Sequence, residues 1–171
     1  MSESSHSLLI THYRLIITDY FADQFINMNI YARQISSDDA AVVAALSQQL
    51  GYPLSTQQIL QNIYAVRRSE DRDAFVAIYD SSVVGWIGVA QAIMIESVPF
   101  CEINGLVIDE DYRGKGIGKL LVEKAKQWAK EKGNDTVRLR CNVKRIEAHE
   151  FYRHLGFKEI KQQTAFILDL Q

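Results

Sequence analysis

Asp111-Tyr112-Arg113-Gly114-Lys115-Gly116-Ile117-Gly118-Lys119-Leu120-Leu121 is the stretch from which this chain is read. In front of it stands a mostly apolar run, residues 103–108, with the length and composition of a strand. Behind it Ile117, Leu120, Leu121, Ala125, Trp128 and Ala129 recur at helical spacing. Three glycines at alternate positions expose backbone N–H groups where that helix begins. The first N–H groups of a helix have no intrahelical acceptor, and the helix dipole is positive there, so the turn is built to hold an anion. Arg113 and Lys115 add positive charge, and Lys119 stands on the first helical turn. A solvated basic turn would also contain glycine and lysine. The coincidence of strand, glycine turn and helix start favours the anion site.

Failed matches narrow the choice of anion. A phosphate-binding P-loop ending at Gly118-Lys119 needs glycine at 113 and a hydroxyl at 120, where this chain has Arg113 and Leu120. A dinucleotide fingerprint starting at Gly114 needs its last glycine at 119, which is Lys119. The pattern that does fit is Arg-x-x-Gly-x-Gly, formed by Arg113, Gly116 and Gly118, with Val107 and Ile108 in the strand before it.

The whole composition sets broad limits. A chain of 171 residues holds one domain with a real core and is short for two. With 47% hydrophobic and 23% charged residues and a net charge of −2, it lacks a broad electrostatic footprint for nucleic acid. The Arg67-Arg68 pair and the lysines of residues 124–132 read as solvated. Cys101 and Cys141 give neither a metal spacing nor a disulfide framework, and reduced thiols in a cytoplasmic protein are the expectation. His6, His12, His149 and His154 form no ligand pattern, so no metal is expected.

Residues 1–27 stand apart as an extension. A polar start gives way to an apolar stretch interrupted by His12, Arg14, Asp19 and Asp23, without the ~20 uninterrupted residues of a membrane helix. No secretory signal is expected either. An added helix, a contact in a homodimer or an upstream start all remain open for it. The folded domain is expected over residues 28–171, opening with a strand at 28–35. Ser36 and Asp39 have the spacing of a capping box for a helix over 41–50, ended by Gly51-Tyr52-Pro53. Ser55 and Gln58 start a second helix with Ile59, Ile63 and Val66 as its stripe. Strands follow at 74–79, 83–95 and 100–108, and then the glycine-turn helix. A strand at 136–143 is joined by that helix as a right-handed parallel crossover. A short helix over 145–155 and two final strands, 157–161 and 164–170, close the order β-α-α-β-β-β-α-β-α-β-β.

A second motif lies in the short helix: Ala148-His149-Glu150-Phe151-Tyr152-Arg153-His154-Leu155-Gly156-Phe157. Together with Arg113, Gly116 and Gly118, and with the element order from residue 28 to 170, it resembles the GNAT superfamily of N-acetyltransferases. The glycine turn resembles that family's acetyl-CoA loop, and the second motif its Ala-x-x-Phe-Tyr-x-x-x-Gly-Phe signature. Gln49-Leu50-Gly51-Tyr52-Pro53 is similar to a helix-loop of bacterial small-molecule members. The resemblance implies an α/β (α+β) fold: a mixed, mostly antiparallel sheet with splayed parallel fourth and fifth strands and helices on both faces.

It also implies the chemistry. The pantetheine arm of acetyl-CoA would pair with Leu106, Val107 and Ile108, and the pyrophosphate would sit on the amides of Gly114, Lys115, Gly116, Ile117, Gly118 and Lys119, beside Arg113. Tyr152 is the candidate general acid for the departing thiolate, a phenol near ~10 facing a thiol near ~8.5. A hydrogen bond that only places the sulfur is its alternative role. Glu102, at the start of the fourth strand, is the candidate base for the acceptor amine. A solvent-facing glutamate is the competing reading, and Asn104 and Glu150 are the alternatives. Arg145 stands where many relatives have an asparagine that touches the cofactor. It reaches either the cofactor's phosphates or adenosine, or solvent. Phe151, Leu155 and Phe157 read as core.

The implied activity is direct transfer of acetyl from acetyl-CoA to a primary amine in a ternary complex. The acceptor is a small molecule or a peptide amine, without nucleic acid or membrane. A non-catalytic acyl-CoA sensor on the same fold is the rival. It needs the loop but not the pair Glu102 and Tyr152.

Overall fold

The computed structural model describes residues 29–170, so the expected extension at 1–27 lies outside the described residues. The chain order is strand β1 (Ile30–Gln34), helices α1 (Ala40–Gln49) and α2 (Thr56–Arg67), strands β2 (Arg72–Tyr79), β3 (Ser82–Met94) and β4 (Ser97–Ile108), helix α3 (Ile117–Glu131), strand β5 (Val137–Leu139) and helix α4 (Ile146–His154). The five strands lie in sequence order in one sheet. β1 to β4 are antiparallel, and β4 and β5 are parallel.

Local chemistry explains most of these boundaries. At the entry to α1 the Ser36 N–H donates to Asp39 Oδ2 at 2.8 Å, and Arg33 grips both oxygens of the same carboxylate at 2.7 Å. Burial opposes the charge on Asp39, but the Arg33 guanidinium and the Ser36 donors outweigh it and hold the carboxyl below its ordinary value. Ser55 and Gln58 cap α2 reciprocally: the Gln58 N–H donates to Ser55 Oγ at 3.3 Å, and the Ser55 N–H to Gln58 Oε1 at 3.0 Å.

Two cores flank the sheet. On one face α1 and α2 bury Val43, Ala44, Ile59 and Ile63 against Ala74, Val76 and Ile78. On the other, α3 buries Ile117, Leu121, Val122, Ala125, Trp128 and Ala129 against Phe75, Ile87, Val89, Cys101 and Ile103. The helical stripe read from the sequence is this face, with Val122 added and Leu120 only half-buried. Phe151, Leu155 and Phe157 pack at its margin.

The two final strands expected at 157–161 and 164–170 do not form; residues 157–170 have no regular structure. A strand needs a ladder to stand in. β5 stops at Leu139, and no described backbone hydrogen bond ties 158–170 to the sheet. Phe166, Ile167, Leu168 and Leu170 are left exposed. The strand expected at 136–143 shortens for the same reason.

Candidate active site

β4 and β5 pair only at Cys101–Val137, Glu102–Arg138 and Ile103–Leu139. β4 then runs on to Ile108, still held on its other side by β3 through the Gly85–Ile108 pair. One edge of Leu106, Val107 and Ile108 therefore has no strand beside it among the described residues, a place where an extended arm can pair. A bulge helps to open it. Gly88 lies opposite Gly105 and Val89 opposite Ile103, which leaves Asn104 as the extra residue of β4. The bulge inverts the alternation of the strand, so Cys101 and Ile103 before it and Leu106 and Ile108 after it all pack on the α3 side.

The glycine turn closes the end of this opening. Asp109 Oδ1 accepts the Asp111 N–H at 3.0 Å, and a short 3-10 turn, Glu110–Tyr112, leads into the glycines. Gly114 and Gly116 take φ of 75° and 80°, a left-handed backbone that disfavours side chains, and Gly116 caps α3. The first N–H groups of α3, on Ile117, Gly118 and Lys119, have no intrahelical acceptor. Arg113 and Lys119 are exposed beside them. The Lys115 ammonium lies over the rings of Tyr112 at 4.7 Å and Tyr79 at 5.2 Å, which fixes its direction.

α4 carries Tyr152, one residue after the Phe151 that packs on Gly118. Its ring packs edge-on to Phe151 at 5.2 Å and Phe157 at 5.7 Å. Burial pushes its hydroxyl up to about 12, Cys141 adds to the shift, and Arg145 works against it. Arg145 is tied elsewhere as well: its Nη2 donates to the Leu50 carbonyl at 3.0 Å, joining the start of α4 to the loop after α1.

Glu102 lies on β4 between Cys101 and Ile103, so alternation turns it to the α1–α2 face. Its side chain is 19% exposed and ion-paired with Arg140, Oε1 to Nη2 at 2.8 Å. Arg138 sits across the ladder from Glu102 with its guanidinium 4.1 Å above the Phe100 ring. Of the alternative bases, Asn104 is exposed at the bulge and Glu150 is paired with Arg153. Arg140 was not among the residues singled out from the sequence. The signal for it is the alternation Arg138-Leu139-Arg140, which puts two arginines on the face of Glu102.

Among the described residues no His, Cys, Asp and Glu cluster is arranged to hold a metal ion. No described helix is long and apolar enough to cross a membrane. A groove of about 350 Å³ between β1 and α3, lined by Tyr31, Leu120 and Lys124 among others, lies on the far side of the sheet order from the opening.

Comparison with known families matches residues 40–157 to the acetyltransferase (GNAT) family model. The chain belongs to this family. It is 32% identical over 127 residues to an uncharacterised N-acetyltransferase of Chlorobaculum tepidum, covering 73% of each protein. It is 43% identical over 65 residues to an uncharacterised N-acetyltransferase of Methanocaldococcus jannaschii, where it spans 29% of that protein. In fold it matches an aminoglycoside N-acetyltransferase solved with CoA, with a TM-score of 0.76 and 16% identity, over 84% of this chain and 97% of that one. This GNAT chain is an N-acetyltransferase by family, and the mixed sheet with its one parallel pair is the GNAT fold.

Proposed function

We propose that this acetyltransferase moves the acetyl group of acetyl-CoA directly to a small primary amine while both substrates are bound. The observation that carries the reading is the β4 edge at Leu106–Ile108, unpaired among the described residues. It leads to the first amides of α3, against which α4 packs through Phe151 at Gly118. Leu106, Val107 and Ile108 hold the pantetheine arm by main-chain hydrogen bonds. The amides of Gly114 to Lys119 and the Arg113 guanidinium hold the pyrophosphate, a fit supported by the positive φ at Gly114 and Gly116. Arg145, in this reading, steadies the loop after α1 and lines the cofactor end.

Glu102 takes the proton of the ammonium group, directly or through water. The freed amine attacks the thioester carbonyl; a C–N bond forms and the C–S bond breaks. A donor on the β4 edge steadies the oxyanion. Tyr152 faces the departing sulfur. With its hydroxyl near 12 and a CoA-like thiol near ~8.5, full proton transfer is uphill by roughly 5 kcal/mol, so Tyr152 acts chiefly as a hydrogen-bond donor to the thiolate. Of the two roles read from the sequence, burial favours this one.

The test has two parts. Acetyl-CoA should raise the melting temperature, and CoA should be released when a panel of primary amines is added. Stabilisation without CoA release on any amine would instead support an acyl-CoA sensor.

A further inference from the structure

The charges around Glu102 deepen the proposed function by restricting the acceptor, a restriction that rests on Glu102 being the base for that transfer. Glu102 has two arginine neighbours: Arg140 in a 2.8 Å ion pair, and Arg138 across the ladder, stacked on Phe100. Glu150, an alternative carboxylate on α4, is engaged with Arg153. At Glu102 itself one carboxylate therefore faces two guanidinium groups.

A simple cationic amine fits such a place badly. To reach Glu102 it must displace the Arg140 guanidinium, leaving one more positive charge beside it. An amine that also carries an oxyacid group avoids this cost. Its ammonium takes the Glu102 carboxylate while its anionic group takes the released guanidinium, so one ion pair becomes two with no charge left alone. Arg140 suits the second contact: its side chain is 78% exposed, free to swing, and its planar fork accepts a carboxylate or phosphonate in two hydrogen bonds.

We propose that the acceptor is a small amine that also bears a carboxylate or phosphonate, and that Arg140 is the residue that selects it. Polycations such as aminoglycosides are excluded by the same charges.

The test uses the whole chain and amines of matched length: β-alanine, 2-aminoethylphosphonate and propylamine, with an aminoglycoside as the polycation. CoA release should be at least about tenfold more efficient, by kcat/KM, with β-alanine or 2-aminoethylphosphonate than with propylamine. Which of the two leads identifies the anionic group. Arg140→Gln should erase that preference by raising KM for the anionic amines, and Arg140→Lys should restore part of it. Equal or better turnover of propylamine or the aminoglycoside overturns the proposal. So does an Arg140→Gln variant that lowers kcat alike for every amine, which would mean that Arg140 only places Glu102. If no amine releases CoA, the transfer reading itself has failed. Calorimetry on the CoA-bound protein then decides the acceptor preference by itself. Tighter binding of the anionic amines than of propylamine, lost in Arg140→Gln, supports it, and equal binding overturns it.

Discussion

The ring of Phe151 lies directly against Gly118: a Cβ at position 118 would stand 2.8 Å from its Cζ and 3.1 Å from its Cε2. Two motifs more than thirty residues apart in sequence meet at this contact. The glycine turn and the helix that carries Tyr152 are thus one packed unit. Their spacing is set by the absence of a side chain at Gly118.

Gly118→Val should push the Phe151 ring outward and move Tyr152 with it. The expected result is about a tenfold loss of CoA affinity by calorimetry, with Tm lowered by only a few degrees. Phe151→Leu in the same chain should restore part of the affinity. No change in binding would mean that the ring slides without cost.

Tyr152→Phe removes the hydroxyl but keeps the edge-on packing with Phe151 and Phe157. A fall in kcat of about tenfold to a hundredfold is expected, with acetyl-CoA binding nearly unchanged. Because burial holds the hydroxyl near 12, the wild-type rate should show no basic limb from this group below pH ~10. An unchanged kcat removes Tyr152 from the chemistry.

Glu102→Gln leaves Arg140 without its charge partner and removes the proposed base. We expect kcat to fall by about a hundredfold or more with acetyl-CoA binding retained. A variant that kept its kcat would assign proton removal to another group.

Asp39→Asn breaks the two-pronged contact with Arg33 at the entry to α1. Asp39 is 3% exposed but the Arg33 side chain is 38% exposed, so the loss is placed near 2 kcal/mol rather than at the value for a fully buried pair. The carboxyl is held below its ordinary 3.8, so its contribution is full above that pH and is lost as pH falls through the folded value. Urea melts should show wild type and variant converging in acid.

Alkaline pH should act in the opposite sense. Burial raises the Cys101 thiol from 9.0 to about 11, and Tyr152 from 10.0 to about 12. The unfolded chain therefore sheds these protons first, and stability should fall steadily as pH rises from about 9 to 12. Tyr152→Phe should flatten the upper part of that decline in thermal melts across the range.

The glycine turn, the two capped helices and the Phe151-Tyr152 helix were legible because their determinants are local. A cap joins residues three apart, a helical stripe repeats within one turn, and the left-handed turn is announced by Gly114 and Gly116 themselves. Those features carry the family. The final strands were misread because alternation of apolar residues, as in Thr164-Ala165-Phe166-Ile167-Leu168, says only that a strand would be acceptable. Whether one forms depends on a partner edge, and β5 ends too soon to provide it. Tertiary structure likewise decided the charge around Glu102. Arg138 and Arg140 are thirty-odd residues away in sequence, and only the parallel register of β4 with β5 places them at the carboxylate. The sequence by itself determined that this chain has a glycine turn and a helix start after a strand. The ladder beside that strand, which no local pattern encodes, set the surroundings of Glu102.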